Sequence, residues 1–322
     1  MSVQLTSDRL SVRRTDSVFS GEQIHLGRDG HHAVIVEVSG GVREYEVRGR
    51  RLLDGYGEDE MCSAARGQLL IPWPNRLRDG RYRFDGQEYQ VPVSEPEKNN
   101  AIHDFLRYES WTVAEPTDDR VVMEHTLHPR ASYPFALRVL SEYRVSREGL
   151  SARVTATNLG RRPCPYGMGV PPYLRVDDET LELSWLEAPG AVQLMTDEQA
   201  IPVGTADVSG TPYDFRTSTR ILGSELDTAF TDLRRDERGR AWARLWRGRG
   251  DYGVGLWMDE HYPYYMFFTG DSLPDRARRR RSVGVEPMTC APNAFASGEG
   301  LITLAPGESV TSCRGISPLG TP

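Results

Sequence analysis

"HAVIVEVSGGVREYEVRG", His32 to Gly49, alternates apolar and polar residues on both sides of a Gly-Gly step. Successive side chains of a strand point to opposite faces, so this alternation describes two half-buried strands, and a glycine pair is a strong hairpin-turn signal. The same period of two returns in "RYRFDGQEYQVPV" from Arg81, "ALRVLSEYRVS" from Ala136, "SARVTATNL" from Ser151, "AWARLWRGRGDYGVGLWMD" from Ala241 and "YPYYMFFTG" from Tyr262. Asp-Gly and Glu-Gly steps punctuate these runs. No segment carries the capped 3.6-residue apolar stripe of an amphipathic helix. The pattern predicts an all-β chain, a large antiparallel β-sandwich with few short helices.

A chain of 322 residues could hold one large all-β domain or two average ones. No Pro/Ser-rich linker or composition shift offers a place to cut it, so a single domain over residues 1–322 is expected. The net charge of −7 gives no general attraction for nucleic acid or anionic membrane, despite the run Arg278-Arg279-Arg280-Arg281, which reads as a solvated loop. Cys62, Cys164, Cys290 and Cys313 lie far apart, a spacing of neither a zinc site nor a disulfide scaffold. The first residues, "MSVQLTSDRLSVRR", lack an apolar leader core, and no stretch approaches the ~18 apolar residues of a membrane helix. These features together predict a cytoplasmic protein with reduced thiols.

Four stretches stand out. "IPWPNRLRDGRYRFDG" (Ile71 to Gly86) sets Trp73, Asn75 and Arg76 between proline-stiffened turns, an apolar face beside a fork of N–H donors. "NNAIHDFLRYESW" places His103 beside Asp104, neighbours that point to opposite faces if the segment is a strand. "SVGVEPMTCAPNAF" puts Glu286 before Pro287, where a strand is expected to end with its last side chain facing a cleft. "YGMGVPPYLRV" (Tyr166 to Val176) contains Pro171 and Pro172, which cannot donate to a ladder and mark an edge or a loop; Tyr173 is its one proton-bearing side chain between Gly167 and Leu174. Taken singly, the first three have plain structural meanings: a packed Trp, a hydrogen-bonded imidazole, a surface carboxylate.

In order along the chain, "PWPNRLRDGRYRFDGQEYQVP", "NNAIHDFLRYESW", "HPRASYPFAL", "PYDFR", "ELDTAFTDL" and "VGVEPMTCAPNAFASGEGLITLAPGES" resemble aldose 1-epimerase, the galactose mutarotase family. The resemblance runs from about Ile35 to Glu308. It implies a galactose mutarotase-like β-supersandwich whose concave face binds a free sugar, without metal or organic cofactor. It implies that a glutamate takes the C1 hydroxyl proton, a histidine protonates the ring oxygen, and a second histidine, an arginine and an aspartate hold hydroxyls. Matched residue by residue, Glu286 in "VEPMT" takes the base position, Arg76 in "PNR" the arginine, His103 in "NAIH" the supporting histidine and Asp227 in "LDTAF" the aspartate. Trp73, Asn75 and Tyr173 are the further candidates for substrate contact. Arg76, His103, Asp227 and Glu286 are expected to converge on one concave cleft.

The resemblance breaks at the acid. Where the family usually has His-Pro-Tyr, "GVPPYLRV" puts Pro171, and Asp104 stands where a glycine is usual. A positioned acid contributes ~10²–10⁴-fold, roughly 3–5 kcal/mol of barrier. His103 ranks first as a substitute, ahead of Asp104 and Tyr173. Three expectations follow: an aldose 1-epimerase with Glu286 as base and His103 as a second catalytic residue; a relative recruited to another isomerisation or cyclisation-type step on a specialised metabolite; or a non-catalytic carbohydrate binder. The partner in each is a small sugar or sugar-like molecule, bound by a monomer or homodimer.

Overall fold

The quoted stretch folds as its alternation describes. In a computed structural model, which describes residues 13–103, 105–176, 180–248, 250 and 252–320, strands His31–Val36 and Val42–Val47 pair antiparallel. Ser39 and Gly40 take positive φ in the turn between them. They belong to a five-stranded meander in chain order, from Arg14–Ser17 through Gly21–Arg28 to Arg50–Arg51.

A nine-stranded antiparallel sheet is built around the hairpin of Leu137–Ser146 and Gly149–Asn158. Along Leu137–Ser146 every second residue is buried, the period of two made physical. The strand Ser309–Gly320 inserts between Gly149–Asn158 and Tyr252–Met258, so the last described strand closes the middle of this sheet. A six-stranded sheet runs in the order Tyr173–Leu174, Val283–Met288, Tyr264–Phe268, Asp227–Leu233, Gly190–Thr196, Pro202–Asp207.

The three sheets share one apolar core, to which Ile24 and Ile35, Val139 and Leu256, and Phe230, Phe267 and Val285 all contribute. Each such side chain, fully buried, stabilises the fold by about 1.5–3 kcal/mol. Helix among the described residues is confined to Ala294–Ser297 and four single 3-10 turns. The architecture is an all-β sandwich. None of these helices is long and apolar enough to cross a membrane.

Two expectations are corrected. The strand carrying Glu286 does not end at Pro287 but runs on to Met288. Pro287 pairs with Tyr265, and its carbonyl accepts the Val170 N–H at 3.3 Å. A strand residue's N–H points to the same side as its C=O, so the missing proline donor faces Val170 and costs the ladder to Tyr264–Phe268 nothing. The arginine run is no free solvated loop either. Arg278 donates to the Gly55 carbonyl at 2.9 Å and to Glu60 at 2.7 Å, Arg279 to the Leu273 carbonyl at 2.6 Å, and Arg280 to Asp271 and the Ser224 carbonyl at 2.8 and 2.9 Å. These bonds tie down the connection into the Val283–Met288 strand.

Candidate active site

Register on the six-stranded sheet assembles the site. Tyr173 pairs with Gly284, Gly284 with Phe268, and Phe268 with Asp227. Two residues along, Glu286 pairs with Met266 and Met266 with Ala229. Alternate residues share a face, so Tyr173, Glu286, Met266, Phe268 and Asp227 stand together while Val285, Phe267 and Phe230 enter the core. The proline pair obeys the same register. Gly169 bridges Met288 and Tyr173 pairs with Gly284, which sets Pro171 directly opposite Glu286. The ladder passes through the prolines on their carbonyls: Pro172 accepts from the Val285 N–H and Pro171, on the outer side, from the Gly67 N–H, both at 3.0 Å.

Arg76 comes from the short strand Arg76–Arg78, which pairs with Asn100–Ile102 so that Arg76 faces Ile102, one residue before His103. Asn75 holds this corner at φ 58°, a left-handed conformation that asparagine tolerates. Its side chain accepts from the Arg76 N–H at 2.8 Å and donates to Met266 Sδ at 2.7 Å, fixing the corner to the strand opposite Glu286. The Arg76 guanidinium lies 4.0 Å from Asp227 and makes a two-pronged bond to Glu95 at 2.8 and 2.9 Å.

His103 is tied back to the same corner. Its N–H donates to the Asn75 carbonyl at 3.1 Å, and its Nδ1 accepts the Asn75 N–H at 3.2 Å. A backbone N–H can only donate, so Nδ1 is unprotonated and the neutral ring carries its proton on Nε2. Burial, with the charges of Arg107 and Arg76, pushes its pKa down to about 3. Neutral His103 is therefore a hydrogen-bond donor at physiological pH.

Glu286 is only 5% exposed, and burial pushes its carboxyl up to about 8; the Arg76 charge opposes that rise and Asp227 adds to it. Its Oε1 finds no hydrogen-bond partner among the described residues. That oxygen lies against Gly169, where any Cβ would stand 2.6 Å from it. Asp227, by contrast, keeps 43% of its side chain exposed. The combination is one proton-holding carboxyl, one open carboxylate acceptor, a guanidinium and a neutral imidazole donor, a set suited to binding hydroxyls and moving a proton on one of them.

Tyr173 forms a wall at the edge of this face. Its ring lies over Gly284 and edge-on to Phe268, the Arg66 guanidinium stacks on it at 4.3 Å, and its hydroxyl donates to the Ala64 carbonyl at 3.1 Å. Burial raises its pKa further above an already high phenol value, which makes it a weak proton donor. Trp73 sits in the core, 3% exposed, with its rings against Phe105 and Phe295 rather than presented as a surface platform. Asp104 lies outside the described residues. Sequence reasoning missed Glu95 and Gly169. A buried Arg76 implies a counter-charge, but no spacing says that residue 95 supplies it, and the "GMG" step alone does not say what needs the space.

The aldose 1-epimerase family model matches residues 22–314. The chain belongs to the aldose 1-epimerase family. Its relatives include the uncharacterized protein YihR of Escherichia coli K12, 31% identical over 291 residues that cover 90% of this chain and 91% of YihR. The fold is shared with a galactose mutarotase-like protein from Clostridium acetobutylicum, TM-score 0.84 at 18% identity, covering 96% of this chain and 99% of that one. It is shared also with galactose 1-epimerase from Lactobacillus acidophilus NCFM, TM-score 0.80 at 18% identity, covering 97% and 100%.

Proposed function

We propose that this member of the aldose 1-epimerase family interconverts the anomers of a free sugar, with Glu286 as the base. The observation that carries the reading is the buried Glu286 carboxyl, poised to exchange a proton on the sheet face that also bears Asp227 and receives Arg76. Arg76, Asp227 and the Nε2–H of His103 hold the sugar's hydroxyls, and Tyr173 bounds the ring. Ionised Glu286 removes the O1 proton; the O1 electrons form C1=O1 as the C1–O5 bond breaks toward O5, and O5 takes up a proton. Rotation about C1–C2 and reclosure give the other anomer.

Pro171 has no proton to give, and the Tyr173 hydroxyl is committed to the Ala64 carbonyl. The O5 proton is then best supplied by Glu286 itself. O1 and O5 are both bonded to C1, so one carboxyl can take the proton from the first and return it to the second with no net change in charge. The test is polarimetry of freshly dissolved α-galactose and α-glucose with wild type and Glu286→Gln, beside calorimetric binding. Mutarotation should fall by ~10²-fold or more in the variant while binding survives. Unchanged turnover would make the carboxyl structural.

A further inference from the structure

The two-pronged bond between Glu95 and Arg76 has no counterpart in the roles set out above. Both side chains are almost wholly covered, Arg76 at 9% and Glu95 at 12% exposure. A buried guanidinium needs a partner, and Glu95 takes its Nε and one Nη2 proton together. Glu95 is itself fixed, because Asn100 donates to its Oε2 at 3.2 Å and its backbone bridges Asn100. Burial would weaken Glu95 as an acid, but the Arg76 fork outweighs this and holds its carboxyl below the usual range, so it is an anion. Glu95, Asp227 and Glu286 thus surround one cation.

We infer that Glu95 is a positioning residue of the site: it fixes the guanidinium plane so that the remaining edge of Arg76 serves the ligand, and it offsets part of the Arg76 charge that bears on Glu286. This rests on the role of Glu286 proposed above. The charged and titratable groups that act on or around Glu286 are Arg76 from the Arg76–Arg78 strand, Asp227 from the next strand but one, Tyr173 from the edge strand and Cys290 beyond its own strand. His103, neutral, adds no charge. Without Glu95, Arg76 keeps only Asp227 against it and bears more strongly on Glu286, the one charge in this set that favours its ionised form.

The test is direct titration of Glu286 in protein labelled with ¹³C at the glutamate carboxyls, its resonance assigned by its loss in Glu286→Gln. In Glu95→Gln the Glu286 midpoint should fall by about one pH unit, and the rising limb of kcat/KM against pH should move down with it. Glu95→Asp, which keeps the charge, should leave the midpoint near wild type, a rescue that packing alone does not explain. Should the Gln variant not fold, Glu95→Ser removes the charge with less bulk and must give the same fall. An unchanged or raised midpoint in a folded variant overturns the inference. Absence of mutarotation in wild type would instead sink the proposed function, and the titration would still decide the role of Glu95.

Discussion

Gly169 lies directly beneath the Oε1 of Glu286, and a Cβ built on it would stand 2.6 Å from that oxygen and 2.7 Å from the Cβ of Pro74. The backbone of Gly169 is not in the left-handed region, so glycine is required there by space and not by conformation. Gly169→Ala should therefore act through the carboxyl. The methyl forces Glu286 off its seat, costing about 1–3 kcal/mol of stability from overpacking and lowering kcat by ~10²-fold from misplacement of the proposed base. Thermal melts and polarimetry measure the two. A variant as active as wild type would show that Glu286 works from another position.

Glu286 also leaves a signature in stability. Its folded pKa of about 8 lies above the ordinary carboxyl value of 4.5. The folded protein holds this proton more tightly than the unfolded chain, so its contribution is fully present below about 4.5 and is lost as pH rises toward 8. Glu286→Gln carries no such group. Its melting temperature relative to wild type should climb between pH 5 and pH 8, and a flat difference would mean the carboxyl titrates normally.

The tautomer of His103 separates a binding role from an acid role. A neutral ring with its proton on Nε2 is a good donor and a poor acid, so His103→Asn, which can still donate, should raise KM by ~10-fold and leave kcat within ~10-fold of wild type. A kcat loss of ~10²–10⁴-fold would instead mark His103 as the proton source for the ring oxygen.

Much of the sheet architecture was legible because burial writes itself into period two, as in Leu137–Ser146, whereas the contacts that finish the site leave no periodic trace. "VEPMT" marks Glu286, yet the proline after it suggests a strand end that register overrules, since only the side to which the Pro287 N–H would point decides whether a ladder bond is lost. The arginine run looked solvated because charge runs usually are; its partners Gly55, Glu60 and Ser224 come from distant segments. Trp73 pairs an aromatic face with a neighbouring arginine, but Phe105 and Phe295 fill that face. Glu95 reaches Arg76 through the pairing of Arg76–Arg78 with Asn100–Ile102, a long-range relation that residue types do not encode.

Pro171 offers the sharpest test, because register puts it opposite Glu286, and directly opposed side chains on one sheet face have Cβ atoms about 4.5–5.5 Å apart. A histidine there would stand beside the proposed base, and in the proposed reaction, where the C1 hydroxyl meets Glu286, within reach of the sugar's ring oxygen. The backbone does not resist the exchange. The Pro171 carbonyl already accepts from Gly67, and an added N–H at 171 points outward with it, away from the Val283–Met288 ladder. Pro171→His should therefore raise mutarotation above wild type, by up to the ~10²–10⁴-fold of one positioned acid, and should add a falling alkaline limb to a pH profile that otherwise rises toward about 8 and levels. If wild type is already fast and the variant no faster, Glu286 suffices as its own proton shuttle. If the variant gains rate without the new alkaline limb, the imidazole acts by binding and not by proton transfer. If neither protein turns over simple aldoses, the site has been refitted to another substrate and the mutarotase proposal fails.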